Sequence, residues 1–227
     1  MSLRVLTWNL FHGRSVPNAG RGLLNEFAAR LDGWAWDVAL LQEVPPWWPP
    51  LLARACGADQ RLVLTSRNQG LWLRKAISIR NPDLLKSNGG GCNAILVRGG
   101  GIVGGQETHR LALRPERRMM HGVRLQSGVW VVNLHASTRG AAGEPQTRAE
   151  SLQAAGTALG WAGGAPLVLG GDFNLRGTPE LPGLRHVAGH YVEHVYTSRI
   201  EPAGRGETLD RGTLSDHAPV AVDLGVA

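Results

Sequence analysis

Five short segments of this 227-residue chain end or begin a strand-like apolar run with side chains that bind metal ions or transfer protons. They are residues 7–9 (TWN), 41–43 (LQE), 133–135 (NLH), 171–174 (GDFN) and 215–217 (SDH). Carboxylate and amide oxygens are the ligands that hard divalent cations prefer, and imidazole and carboxylate groups are common acid and base catalysts. One such segment would mean little, but the set of five indicates metal-assisted acid–base chemistry.

Glu43 is the first candidate metal ligand. It closes the run 37–42, and a carboxylate at the end of a buried strand is costly unless something pairs with it. Asn9 ends the first apolar run and Asp216 precedes the last one, so each offers an oxygen to the same ion, which we expect to be Mg²⁺ or Mn²⁺. The alternative interpretation of Glu43 is a surface glutamate at a strand end.

Asp172 and Asn174 form the second candidate group. They follow an apolar run, residues 166–169, and two glycines. A spacing of two places both side chains on one face of an extended chain. There, one group can orient or deprotonate water while the other holds a phosphoryl oxygen. A turn in which an Asp or Asn side chain bonds its own backbone is the alternative.

In this order, the five segments resemble the endonuclease/exonuclease/phosphatase family of metal-dependent phosphoesterases, which includes DNase I and exonuclease III. The resemblance spans nearly the whole chain, and residues 171–174 are its most specific short motif. It implies a single domain over residues 1–227 with an α/β (α+β) fold. Long strand content with few helices also favours two mainly antiparallel β-sheets that pack face to face, flanked by helices in a four-layer sandwich.

The resemblance also implies proton-transfer roles. His217 is the expected general base, because the ordinary pKa of imidazole lies near neutral pH. Such a base needs a carboxylate on its other nitrogen, and the family pattern has aspartate where this chain has Glu193. Because glutamate is one methylene longer, either its strand lies further back or Asp210 makes the pairing. His135 is expected to protonate the leaving group or stabilise the pentavalent state. The other histidines, His12 among them, receive no role because nothing at metal-ligand spacing accompanies them.

Residues 135–140 (HASTRG) suggest one branch of the family. They are similar to the tyrosyl-DNA phosphodiesterases, in which the arginine at the position of Arg139 reaches the scissile phosphate. Phe173 and Glu193 depart from the pattern of that branch. The similarity therefore gives a branch hypothesis that rests mainly on Arg139.

The chain is basic, with a formal net charge of +6 and a pI of about 10.3. Of its 24 basic residues only Lys75 and Lys86 are lysines, and arginine binds phosphate in a bidentate manner. Arg118 could clamp phosphate or lie solvated in a loop, and Asn93 matches a family strand opening that points into the site. We expect a nucleic-acid substrate, with DNA favoured. Arginine codon bias in a GC-rich genome is the alternative source of this composition.

A hydrolase of lipid or inositol phosphates is the second functional hypothesis. Such an enzyme is expected to carry an apolar membrane-docking loop or a cluster of lysines, and Trp47-Trp48, between prolines, is the best candidate for an exposed apolar pair. A catalytically inactive binding module is disfavoured, since every expected metal and proton-transfer position carries a competent side chain.

Further features of the sequence indicate its helices, its cellular location and its oligomeric state. Helical periodicity is convincing only at residues 23–31 and 147–161. The first apolar run, residues 3–10, contains polar side chains, so it predicts neither a signal peptide nor a membrane span. Cys56 and Cys92 make no disulfide framework or zinc pattern, which favours a reduced, cytoplasmic protein. We expect a monomer.

We predict that Arg139→Lys measurably impairs phosphodiester hydrolysis, because lysine keeps the charge of arginine but loses its planar fork. Steady-state kinetics on a set of phosphodiesters measure the effect. If Arg139→Ala leaves the kinetics on every phosphodiester unchanged, Arg139 is a surface residue and the branch hypothesis loses its main support.

Overall fold

Two mixed β-sheets form the centre of the molecule in a computed structural model, which describes residues 2–86, 90–99 and 101–226. The strands of the described residues are β1 (Ser2–Asn9), β2 (Val38–Val44), β3 (Ala58–Leu64), β4 (Cys92–Arg98), β5 (Ile102–Ala112), β6 (Arg118–Leu125), β7 (Trp130–His135), β8 (Leu167–Asp172), β9 (Arg185–His190), β10 (Glu193–Ser198), β11 (Glu201–Pro202), β12 (Glu207–Thr208) and β13 (Val220–Gly225).

Each sheet is antiparallel except for one parallel pair of strands. The first sheet has the order β11-β13-β1-β2-β4-β3, with β12 also beside β13, and the second has the order β5-β6-β7-β8-β10-β9. The parallel pairs are β1 with β2 and β7 with β8. Parallel strands end at the same edge of a sheet, so Asn9 lies opposite Gln42 and His135 lies opposite Asp172. The predicted segments 7–9 and 41–43 therefore lie side by side, and so do the segments 133–135 and 171–174.

The described residues also form helices α1 (Leu24–Asp32), α2 (Pro49–Ala55), α3 (Leu71–Arg80), α4 (Arg139–Ala142) and α5 (Glu144–Ala162). The two helices predicted from periodicity correspond to α1 and α5. Both α2 and α5 carry proline in the first turn, where the missing N–H has no helical partner. No helix among the described residues is long and apolar enough to cross a membrane.

Three apolar clusters separate the layers. Neighbouring residues of a strand point to opposite faces, so each inner strand contributes to two clusters. The cluster between the sheets includes Val5, Leu40, Ile95, Val131, Val168 and Val195. The cluster between the first sheet and helices α1 and α2 includes Leu6, Trp8, Phe27, Leu31, Leu41 and Leu52, and that between the second sheet and α5 includes Val132, Leu134, Ala154, Ala158 and Leu169. This confirms the predicted four-layer sandwich and explains why the strands read as continuous apolar runs.

The expectation of an exposed Trp47-Trp48 pair is wrong. Trp48 is buried against Phe27, with ring centroids 5.3 Å apart, and Trp47 packs on the same cluster. The proline that follows Trp48 begins α2 instead of an open loop. Helices α2 and α3 were not predicted from periodicity: α2 has only 7 residues, and α3 buries none of its residues.

Gly171 allows β8 to approach β7 at the edge that carries the site. Its φ is +141°, and a Cβ built there would lie 2.0 Å from the carbonyl oxygen of Leu134. Since Leu134 precedes His135 and Gly171 precedes Asp172, the close approach of the two backbones sets the spacing of the two functional side chains.

We expect Gly171→Ala to lower the free energy of unfolding by about 2 kcal/mol or more, because the methyl group meets backbone that cannot rotate away. Urea denaturation measures the change. Gly156→Ala is the matched control: Gly156 lies exposed within α5 and its added Cβ would meet no atom within 4 Å, so helix propensity predicts a gain in stability. Equal stability of Gly171→Ala and the unmodified protein would contradict the argument.

Candidate active site

Asp172 lies at the centre of the predicted site. It ends β8 and is 1% exposed. Its Oδ2 accepts a hydrogen bond of 2.9 Å from Asn9 Nδ2 and lies 3.5 Å from His135 Nε2 and 3.9 Å from His217 Nδ1. One carboxylate oxygen therefore contacts an amide and two imidazoles that come from the end of β1, the end of β7 and the loop before β13.

The buried position of Asp172 is electrostatically costly. Burial raises the pKa of Asp172, and the nearby carboxylate of Glu193 raises it further, while His217, Asn9 and the Asn174 N–H favour the ionised form. Two buried carboxylates repel each other unless positive charge lies between them. A cation bound at this edge of the sandwich would therefore offset the repulsion between the two carboxylates.

Glu193 supplies the partner of His217. Its Oε1 lies 3.0 Å from His217 Nδ1, and its Oε2 accepts a hydrogen bond of 3.2 Å from Thr7 Oγ1. Asp210, the alternative partner, instead accepts the backbone N–H of Gly212 at 2.8 Å. The longer side chain of glutamate therefore still reaches the histidine from the first residue of β10.

Two neighbouring carboxylates favour the protonated form of His217. Burial disfavours the imidazolium, but the hydrogen bond with Glu193 and the charge of Asp172 raise the pKa of His217 to about 10. This differs from the near-neutral value expected for a general base, because two carboxylates stabilise the charged ring. A divalent cation near Asp172 would oppose that proton by charge repulsion.

Glu43 approaches the same centre from β2. Its Oε1 lies 3.8 Å from His135 Nε2, and its Oε2 lies 3.1 Å from His12 Nε2. Burial alone would raise the pKa of Glu43, but His12 and Arg118 hold it below its ordinary value. Glu43 and Asp172 thus present their carboxylates to the same imidazole nitrogen.

His135 lies between these carboxylates and Arg118. Burial and the positive charge of Arg118 hold the pKa of His135 well below its ordinary value. Arg118 Nη1 lies 3.1 and 3.2 Å from the two ring nitrogens, and its Nη2 lies 3.1 Å from Glu116 Oε2. The Nε of Arg118 is buried and has no partner among the described residues, which leaves a donor for an anion.

Left-handed backbone recurs at the site. The φ angles are 55° at His12, 49° at Glu43, 51° at Asn174 and 62° at Ser215, a region that non-glycine residues seldom adopt. Neighbouring side chains support three of these bends: Asn9 Oδ1 accepts Phe11 N–H, Asp172 Oδ1 accepts Asn174 N–H, and Ser215 Oγ donates to Asn9 O. Strained backbone that the surroundings hold in this way is common at functional sites.

The donor set fits a hard divalent cation. Carboxylates predominate, and one oxygen or nitrogen atom from each of Asp172, Glu193 and His217 lies within 4.8 Å of the others. Asp216 lies beside this group, 3.8 Å from His217 Nε2. The amide of Asn9 binds Asp172 and Phe11 N–H, so its observed contacts position the carboxylate.

The remaining predicted residues lie around this centre. Asn174 Nδ2 donates to Ala136 O at 3.0 Å, which ties the segment after β8 to the segment after β7. Asn93 Nδ2 donates to Met119 O at 2.8 Å, next to Arg118. Arg139 begins α4, but its side chain lies outside the described part of the chain.

The sequence reasoning missed His12 and Glu116. His12 contacts Glu43, although no metal-ligand spacing marks it, and Glu116 pairs with Arg118. His12 could have been predicted from its position three residues after Asn9, which places it at the same edge of the sheet. Nothing in the sequence marks Glu116, which reaches the site from the loop between β5 and β6.

The family assignment follows from the pattern of the whole chain. The model of the Endonuclease/Exonuclease/phosphatase family matches residues 6–217. This chain belongs to that family. Members of the endonuclease/exonuclease/phosphatase family hydrolyse phosphoesters and generally depend on a divalent metal. No curated protein sequence matches the chain.

Solved structures share its fold at low identity. An endonuclease/exonuclease/phosphatase from Bacteroides vulgatus has 13% identity and a TM-score of 0.71, with 100% of each chain covered. A mannosyl-6-phosphatase from Bacteroides thetaiotaomicron has 17% identity and a TM-score of 0.71, with 98% of this chain and 99% of that chain covered. Truncated TDP2 from Caenorhabditis elegans has 17% identity and a TM-score of 0.67, with 99% and 98% covered. At these identities the likeness shows the fold alone.

We predict that Glu193→Gln lowers the pKa of His217 below about 10, because it removes the carboxylate that stabilises the imidazolium. If Glu193 orients His217, the turnover number should also fall by at least ~10²-fold. An NMR titration of the imidazole and hydrolysis of bis-p-nitrophenyl phosphate measure the two effects.

Glu180→Gln, at an exposed glutamate, is the matched control and should change neither quantity. Glu193→Asp should also be slow, since the shorter side chain no longer spans the 3.0 Å contact without backbone movement. Near-normal turnover in Glu193→Gln beside an inactive His217→Ala would show that another group orients the histidine.

Proposed function

We propose that the protein is a divalent-metal-dependent phosphodiesterase that cleaves DNA by in-line attack of an activated water molecule. The observation that carries the proposal is the contact of one Asp172 oxygen with both His135 and His217, while Glu43 faces His135 from the neighbouring strand. An acid–base pair and a cation-binding group thereby share one small, mostly buried space.

Glu43, Asn9 and Asp216 are the proposed metal ligands, with Mg²⁺ or Mn²⁺ as the ion. The carboxylates of Glu43 and Asp172 both lie near His135 Nε2, which supports a cation position at this point. A bound divalent ion would neutralise charge on the phosphoryl oxygens and on the leaving alkoxide.

Side chains of the protein account for the other needs of the reaction. Glu193 holds His217 through Nδ1, so Nε2 is the nitrogen that would accept a proton from water once a bound cation lowers the pKa of the ring. Asp172 and Asn174 orient that water molecule and a phosphoryl oxygen. His135 and the neighbouring Arg118 each donate a hydrogen bond to the charge that develops on phosphorus-bound oxygens.

DNA is the favoured substrate because cationic and aromatic groups surround the site. A cleft next to His217 is lined by Arg176, Arg211 and Tyr191, and the Tyr191 side chain is exposed. Guanidinium groups bind phosphate, and an exposed aromatic ring can stack on a base. The net charge of +6 supports the same class of polyanionic substrate.

A hydrolase of lipid or inositol phosphates is the second candidate. The observation that favours it is α3, which exposes apolar side chains beside basic ones. Trp47-Trp48, the pair expected from the sequence to be exposed, does not provide such a segment, because Trp48 is buried.

We expect Glu43→Gln to abolish most phosphodiesterase activity and to weaken Mn²⁺ binding, because it removes the charge of a metal ligand while keeping its shape. Hydrolysis is measured with Mg²⁺ or Mn²⁺ on single-stranded DNA, duplex DNA, 5′-tyrosyl DNA, inositol phosphates and bis-p-nitrophenyl phosphate. Glu107→Gln, at an exposed position of β5, should behave like the unmodified protein.

Full activity of Glu43→Gln, or undiminished turnover in EDTA, would refute metal-dependent catalysis at this site. Activity confined to inositol phosphates would favour the second candidate function over the cleavage of DNA. Calorimetric titration of Mn²⁺ separates a loss of metal binding from a loss of fold.

A further inference from the structure

Helix α3 presents apolar side chains to solvent. Trp72 is 78% exposed, and Leu73 and Ile79 are also exposed, as is Leu84 in the short turn that follows. No residue of α3 is buried. Of the eight tryptophans, Trp72 is the one whose described side chain is exposed, since the others are buried or partly buried. Contiguous exposed apolar groups of this kind mark an interaction surface.

Basic residues border this apolar surface. Trp72, Ala76 and Ile79 follow one another at helical spacing, and Lys75 and Arg80 lie beside them, both exposed. Residues 70–82 contain no aspartate or glutamate. Both lysines of the chain, Lys75 and Lys86, belong to this segment and its continuation. The partner must therefore offer hydrocarbon and negative charge together.

The opposite side of α3 is fixed to the body of the protein. The carbonyl oxygen of Ile79 would lie 2.6 Å from a Cβ added at Gly22, so backbone meets backbone there. Gly20 N–H donates to Asp83 Oδ2 at 2.9 Å just beyond the helix. Leu71, Arg74 and Ile77 are partly buried on the inner side of the helix, so the face with Trp72 and Ile79 remains outward.

Helix α3 is also connected to the active site. Arg74 donates to the carbonyl oxygen of Arg67, Arg67 pairs with Glu116, and Glu116 pairs with Arg118. Arg118 in turn contacts His135. A surface bound at α3 would therefore lie at the end of this chain of contacts that is opposite to His135.

We propose that α3 docks the protein on the surface of a lipid bilayer that contains anionic phospholipids. An amphipathic helix in the interface buries its apolar face at the acyl boundary and places its cations among the headgroups. A nucleic acid would engage Lys75 and Arg80 but would leave Leu73 and Ile79 in water, so it fits the surface less well. The docking does not depend on which phosphodiester the site hydrolyses.

The test is co-sedimentation of the full chain with vesicles of phosphatidylcholine alone or mixed in equal parts with phosphatidylglycerol. We expect binding to the mixed vesicles only, and the double variant Trp72→Ser, Ile79→Ser should lower the partition coefficient about tenfold or more. Val103→Ser with Leu113→Ser, at exposed apolar positions on β5 and after it, is the matched control and should bind like the unmodified protein.

Fluorescence quenching by brominated phospholipids reports whether the Trp72 side chain enters the bilayer. Quenching should occur in the unmodified protein and disappear in Trp72→Leu, which keeps an apolar side chain and should still sediment. Hydrolysis of soluble bis-p-nitrophenyl phosphate by the same variants reports the fold and the site separately from docking.

Three outcomes would overturn the proposal: no sedimentation of the unmodified protein with mixed vesicles, quenching that persists in Trp72→Leu, or equal loss of binding in the control variant. If the double variant instead weakens binding to a single-stranded oligonucleotide, or dissociates a dimer in light scattering, while vesicles bind neither protein, the surface serves nucleic acid or a second copy of the chain.

Discussion

The compensation of buried negative charge is the constraint on which the site depends. Asp172 and Glu193 are each 1% exposed and lie opposite one another on β8 and β10. Their charges are offset by the Asn9 amide, the Thr7 hydroxyl and the His217 ring. Each of these groups comes from the first or the last part of the chain. The geometry of the candidate site and the packing of the two sheets therefore both depend on the same compensation of charge.

The sandwich allows this compensation of buried charge because its inner strands are apolar on both faces. A strand that is buried on both sides leaves only its end for polar side chains. Asn9, His135 and Asp172 occupy such ends, and Gly171 lets two of them approach closely. A bound cation would enter a frame that the protein has already assembled by packing, so little further ordering would be needed.

The polar side chains at strand ends could be predicted from the sequence, because apolar runs and the polar residues that close them are local patterns. The four layers followed from the same runs, and Glu193 was named as a partner of His217, from which it lies 3.0 Å away, while its orienting role stays a prediction. Contacts made by loops could not be predicted, since they depend on how distant segments fold back. His12 reaching Glu43 is one example. The burial of Trp48 is another: flanking prolines suggested a loop, but they begin a helix that packs on the core.

The adjacency of β1 and β13 has a consequence for synthesis of the protein. Trp8 Nε1 donates to His217 O and Ser215 Oγ donates to Asn9 O, so the two ends of the chain close the site together. Loop closure over such a separation is entropically unfavourable until most other contacts exist. A chain still emerging from the ribosome lacks the histidine and the strand that would hold it. The site can therefore form only after residues 215–217 and β13 have been added to the growing chain.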